Sequence, residues 1–181
     1  MRQRKSLLLM ASKVRQLNVL LNGPILLALI FIIILKRKQT CIIAVWNDDY
    51  DTLTADKEPK QVLSDYIRAK VMHAKDDPDA SRIFASELIH GAPVLNEYLH
   101  SDFKIWLQSK VNVIETWIKQ GLIDDVNPHH LLFLIWSSTQ HYADFNVQVV
   151  AALDKEAMSD DDFDAVVSSL TKIILKGCGI Q

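Results

Sequence analysis

From residue 59 onward the apolar residues recur at three- and four-residue steps, the period of helices with one covered face. Pro59 opens the first such segment, which runs to about Ala74 with Val62, Leu63, Tyr66, Ile67 and Val71 in phase. Asp77 as N-cap and Pro78 at the first helical position predict a second helix. Ile83, Phe84 and Leu88 lie on its expected buried side, and Gly91 supplies a left-handed exit. A longer helical stretch follows from Ala92-Pro93 to Gly121, carried by Leu95, Leu99, Phe103, Trp106, Val113, Ile114, Trp117 and Ile118, with a break expected near Ser101-Asp102. The last helix begins at Ser159, whose spacing to Asp162 is that of a capping box, and three consecutive aspartates suit the positive end of its dipole. Phe163, Val166, Val167, Leu170, Ile173 and Ile174 form its stripe, and Gly177 ends it.

The helix between these, from Pro128 to Phe145, organises the rest. Asn127 stands where an N-cap belongs and Pro128 presets the first helical φ. Its first half, Leu131 to Trp136, is apolar nearly all round, so it must be covered on more than one side. Its second half puts Ser137, Gln140, His141 and Asp144 on one face. Two largely apolar helices at the C-terminus are candidates for a homodimer contact through Leu134, Ile135, Phe163, Val167, Leu170 and Ile174.

Five glycines and five prolines among 181 residues, with helical periodicity in each long segment, argue an all-α chain. A 49% hydrophobic content suffices for one sizeable core. The net charge of −2 conceals an asymmetry. Residues 1–40 hold eight Lys or Arg and no Asp or Glu, whereas the other twelve basic residues share the remaining chain with all 22 acidic ones. Nucleic-acid contacts need clustered cations, so the acidic body is a poor partner for DNA. Cys41 and Cys178 form no spaced set, which indicates neither a disulfide framework nor a zinc site and points to the reducing cytoplasm.

Leu17 to Leu35 is a nineteen-residue uncharged run, and a membrane span needs about 20 residues. It reads alone as an anchor in an inner membrane. Asn22-Gly23-Pro24 interrupts it, however, and both flanks are basic, so no orientation is favoured. Pro24 to Leu35 also has the length of a buried core segment. Asn47 to Glu58 is acidic, polar and without an apolar period, as in a linker.

Trp136-Ser137-Ser138-Thr139-Gln140-His141-Tyr142-Ala143-Asp144-Phe145 resembles the WxxTQHYADF segment of TetR-type transcriptional regulators, in the RutR-like pyrimidine-utilisation subfamily. The resemblance continues through Pro78 to Pro93, similar to P-x-A-S-R-x-F-x-x-E-x-x-x-G-A-P, and through Trp117, Gly121, Asp125 and Pro128. It implies a TetR-type C-terminal helical bundle over residues 44–181, with a two-helix dimerisation face in which the last two helices of each subunit build a four-helix bundle. It further implies a small metabolite, such as a pyrimidine, as effector. A TetR-type regulator would carry a helix-turn-helix before residue 44, and residues 1–43 contain no such pattern. Ala44-Val45-Trp46-Asn47-Asp48 nevertheless looks like the AVLND that follows that domain. A one-base shift of Tyr-Tyr-Phe-Lys codons gives the Ile-Ile-Leu-Lys found at Ile33 to Lys36. Residues 1–43 are therefore expected to be an out-of-frame or degraded remnant, with the hydrophobic anchor as alternative. DNA would be a partner only if an intact helix-turn-helix were supplied.

No nucleophile elbow, P-loop, Cys-x-x-Cys pair or H-E-x-x-H stretch occurs, so neither an enzyme nor a cofactor is indicated. Of six histidines only His141, with Asp144, has a helical ligand spacing, and no metal site is expected. The candidate effector contacts are Phe133, Trp136 and Tyr142 for stacking, with Ser137, Gln140, His141 and Asp144 as placed donors and acceptors. The same polar groups could instead satisfy one another or a dimer partner. Glu87 and His90, beside the Gly91 turn, suit capping better than ligand binding.

Overall fold

A computed structural model describes residues 53–181, and every regular element among them is helical. The order is α1 (Pro59–Asp76), α2 (Pro78–Ile89), α3 (Asn96–His100), α4 (Asp102–Lys119), α5 (Pro128–Asp144), α6 (Asn146–Ala152) and α7 (Asp160–Gly177). The Leu17–Leu35 run, the helix-turn-helix question and the Ala44–Asp48 segment lie outside the described residues. Among the described residues no helix is long and apolar enough to cross a membrane.

The helix ends follow the local chemistry. Prolines open α1, α2 and α5, where their missing N–H would have no intrahelical partner. The Asp77 carboxylate accepts from the Ala80 N–H and the Asn127 side chain from the His130 N–H. Ser159 and Asp162 form a reciprocal capping box at the start of α7. Gly91, at φ 85°, turns the chain out of α2; the Glu87 carboxylate then accepts from the Val94 and Leu95 N–H groups of the following loop. The expected long helix is broken at Ser101, leaving the short α3 before α4.

The interior is built from Leu63, Ile67 and Val71 of α1, Val111, Ile114 and Trp117 of α4, Leu132 and Ile135 of α5, and Val167 and Ile174 of α7. Helix α1 packs mainly against α5 and α7, while α5 touches α1, α2, α4, α6 and α7 and so occupies the middle of the bundle. Of the α1–α7 pairs, Arg68–Asp164 is exposed and Lys75–Asp160 partly so, and such surface pairs contribute little beside this apolar contact.

One expectation is corrected, and one helix is added that the sequence pattern did not mark. On α2 only Ser81 and Phe84 are buried, whereas Ile83 and Leu88 are 51% and 41% exposed. This short helix lays one narrow edge on the bundle, so apolar residues flanking that edge stay in solvent. The polar end of the Pro128 helix is followed by an extra helical segment, α6, after a break at Phe145 (φ −118°, ψ 30°). Asn146 to Ala152 lacks a side-chain N-cap, and periodicity alone therefore does not mark its start.

Candidate functional site

Helix α5 carries most of the candidate residues, and its 3.6-residue pitch distributes them over two locations. Toward the interior, the Trp136 ring is stacked on Trp106 at 6.0 Å between centroids and tilted against Phe103 at 6.1 Å. Its Nε1–H donates to the Tyr66 hydroxyl over 2.7 Å, a buried bond between α5 and α1. Burial pushes the Tyr66 phenol up to about 12, against the opposing effect of the Trp136 bond, so this hydroxyl is neutral at physiological pH. Phe133 adjoins the cluster, 5.6 Å from the Trp136 ring, and is itself half exposed.

Two lysines are buried on the helices that carry Tyr66 and Trp106. Lys70, one turn beyond Tyr66 on α1, is buried, and desolvation pulls its ammonium down to about 8. Lys110 is buried on α4, with its Nζ 5.9 Å from the Trp106 ring centroid and directed to the Leu53 carbonyl at 3.5 Å; burial lowers its pKa as well. His73, a turn beyond Lys70, is held below the usual histidine value by burial and then by the Lys70 charge, with Asp77 and Asp76 acting in the opposite direction. Sequence reasoning missed Tyr66, Lys70 and Lys110 as site residues. The signal was present: Lys70 follows Tyr66 by four and Lys110 precedes Ile114 by four, so both lysines are in phase with buried stripes.

The second location is a surface groove of about 450 Å³ between the end of α5, α6, the following turn and α7. His141 and Tyr142 line it together with Leu153, Met158, Asp162 and Ser169. The His141 ring lies on Phe145 at 5.1 Å, nearly parallel. Asp162 is engaged by Lys155 and Ser159, and the Lys155 contact, with the Ser159 bonds, draws its carboxyl down to about 2.

The remaining candidates have other contacts. The Ser137 hydroxyl donates to the Leu134 carbonyl of its own helix. Asp144 accepts from the Ser81 hydroxyl over 2.6 Å, joining α5 to α2. Gln140 is half buried on the same helix. The structure therefore brings Phe133 and Trp136 together, places His141 and Tyr142 in the groove, and directs Ser137 and Asp144 to structural bonds. Among the described residues no group of three or more His, Cys, Asp or Glu is placed to hold a metal ion. His90 bonds back to the Ser86 carbonyl and Glu87 caps the following loop.

The expected dimer residues differ in exposure within the single protomer. Leu134 is 52% exposed, but Ile135 is fully buried, and Phe163, Val167 and Ile174 belong to the protomer's own core, with Leu170 packed at its edge. The apolar stripe of α7 is spent on α1 and α5. Exposed on α5 are Phe133, Leu134, Ser137 and Phe145, with His141 half buried, and on α7 Ala165, Ser169 and Ile173, the last 64% exposed.

Comparison with known proteins matches the family described as YcdC-like protein, C-terminal region, over residues 40–181. The HTH-type transcriptional regulator RutR of Escherichia coli K12 is 36% identical over 136 residues, which span 75% of this chain and 64% of that protein. RutR proteins of Shigella flexneri and Escherichia coli O157:H7 match to the same extent. The alignment thus covers less than two thirds of these curated relatives, which are named as transcriptional regulators rather than enzymes. An all-helical bundle centred on α5 and a family match over most of its length place this chain in the YcdC-like C-terminal family of TetR-type regulators.

Proposed function

We propose that residues 44–181 form the effector-sensing and dimerising half of a transcriptional regulator in the cytoplasm, and that residues 1–43 are a degraded or out-of-frame remnant of its helix-turn-helix. The observation that carries this is the two-sided character of α5. One side supplies Trp136 to an aromatic interior with Trp106, Phe103 and Tyr66. The other leaves Leu134 and Phe145 uncovered, as Ile173 is on α7. A domain that senses a small molecule and pairs with a second copy needs both.

The effector is a small planar metabolite, a pyrimidine by resemblance to the RutR-like proteins, stacked on the aromatic cluster with Tyr66 and the two lysines as polar neighbours. Phe133 and Gln140 belong to its surroundings, and His141 and Tyr142 to the groove. Calorimetry with uracil and related pyrimidines tests this. Trp106→Ala should abolish the heat of binding while His141→Ala preserves it; binding indifferent to Trp106 would refute the placement.

In an intact regulator, effector binding would alter the spacing of two reading heads set about one helical turn of DNA, roughly 34 Å, apart. Without such heads this chain would act by pairing with a complete relative and withdrawing it from DNA. Co-expression with a full-length relative followed by a gel-shift assay should show reduced operator binding; undiminished binding defeats the titration mechanism. The nucleotide sequence upstream of the Ala44 codon, read in its other two frames, tests the remnant itself.

A second reading rests on the nineteen uncharged residues Leu17 to Leu35, which suit a hydrophobic anchor. Fractionation separates the two: a soluble dimer supports the first, a carbonate-resistant membrane pellet the second.

A further inference from the structure

The break between α5 and α6 coincides with a change of hydrogen-bond partner. In an uninterrupted helix the Ala143 carbonyl would accept from the Val147 N–H, four residues on. Here the chain turns at Phe145, the Phe145 N–H closes α5 on the His141 carbonyl, and backbone bonding resumes with the Gln148 and Val149 N–H groups on the Phe145 carbonyl. The Ala143 carbonyl accepts instead from Arg82 Nε of α2, at 2.9 Å. One residue before Arg82, the buried Ser81 hydroxyl donates to the Asp144 carboxylate at 2.6 Å. Asp79 in turn pairs with the Arg82 guanidinium at 3.0 Å and steadies it. One turn of α2 thus grips two consecutive residues at the point where α5 stops.

We infer that Ser81 and Arg82 act as a clamp that sets the bend between α5 and α6, making α2 the element through which a movement inside the bundle reaches the outer face. Its inner side supports that role: Phe84, one turn beyond Ser81, sits in the common core, so a change in the interior that displaces Phe84 also displaces the clamp. Its outer consequence is equally direct. Helix α6 and the turn after it contribute Gln148, Val149, Ala152 and Leu153 to the groove, and Val147 and Leu153 are exposed beside Phe145. The position of this whole patch depends on where the helix is broken. Effector stacking and dimer formation need not be assumed for this inference, because the bond pattern stands in the single protomer.

Amide hydrogen exchange on the full-length protein tests the clamp. Arg82→Ala and Ser81→Ala should each accelerate exchange across residues 145–152 by about tenfold relative to α4 and α7, since local opening is released where global unfolding is not. Arg82→Lys, which can still donate to the Ala143 carbonyl, should restore most of the protection. A uniform increase over all helices, with no rescue by lysine, would mean that these residues merely add stability and would overturn the inference. Unchanged exchange at 145–152 in both variants would overturn it too.

Discussion

Lys70 offers a prediction with a worked magnitude. Its side chain is inside the bundle, and burial lowers its pKa from the ordinary 10.5 to about 8. The sign follows from proton counting. Between these two values the unfolded chain holds a proton that the folded protein has lost, so stability rises with pH across that window and is lowest below about pH 8, where the folded state must carry the buried charge. With the two pKa values as stated, the gain between about pH 7 and pH 9.5 is about 2 kcal/mol. Tyr66 and Cys178, both pushed up by burial, act in the opposite direction at the alkaline end. A direct comparison with Lys70→Met cancels them, because the variant keeps both groups. Urea unfolding followed by circular dichroism at the two pH values is the assay. The wild type should gain stability relative to Lys70→Met as pH rises, and the variant should be the more stable protein at pH 7 by about 1–3 kcal/mol, as for apolar replacement of other buried charges. Parallel pH profiles for the two proteins would refute the reasoning.

The outer face is tested by a pair of adjacent substitutions. Leu134→Asp should leave the helical spectrum intact and convert a dimer to a monomer in sedimentation equilibrium, whereas Ile135→Asp should unfold the chain because it places a charge in the core. Ser159→Ala should lower stability by about 1 kcal/mol through loss of the α7 cap. The linked Asp162 carboxylate, depressed by Lys155, adds stability above the ordinary aspartate pKa of 3.8, lost as pH falls through about 2, so Asp162→Asn should flatten the acid limb of a thermal-melting profile. Trp136→Phe removes the donor to Tyr66 and should cost about 1–3 kcal/mol in urea unfolding, because a buried hydroxyl loses its partner.

The parts of this fold legible in the sequence are those written as short-range chemistry. Asn127-Pro128, Asp77-Pro78 and Ser159 with Asp162 each combine a capping side chain with a residue suited to the first turn, and each begins a helix. The break at Ser101 and the exit at Gly91 are equally local. What the sequence does not disclose is which of two apolar faces turns inward. Leu134 and Ile135 are neighbours of equal hydrophobicity, yet one is half exposed and the other wholly buried. Their 100° separation around the axis decides this only once the positions of α1 and α4 are known. The same ambiguity misplaced Ile83 and Leu88 on α2.

Of the interior aromatic cluster the sequence singled out Phe133 and Trp136, but neither Tyr66 and Trp106 nor the two lysines. Trp106 and Trp136 belong to separate apolar stripes, and their stacking depends on how α4 crosses α5, which no local pattern encodes. Lys70 and Lys110 were passed over because a lysine in an apolar stripe can extend its stem along the surface and leave its ammonium in water. Here both are held inside instead. An apolar residue of similar size would fill the same space without the desolvation that lowers the Lys70 pKa, so the comparison with Lys70→Met separates a role from packing. If Lys70→Met is more stable yet no longer responds to an effector that the wild type binds, the cost has its reason; if it is more stable and responds equally well, Lys70 belongs to the bundle's architecture alone.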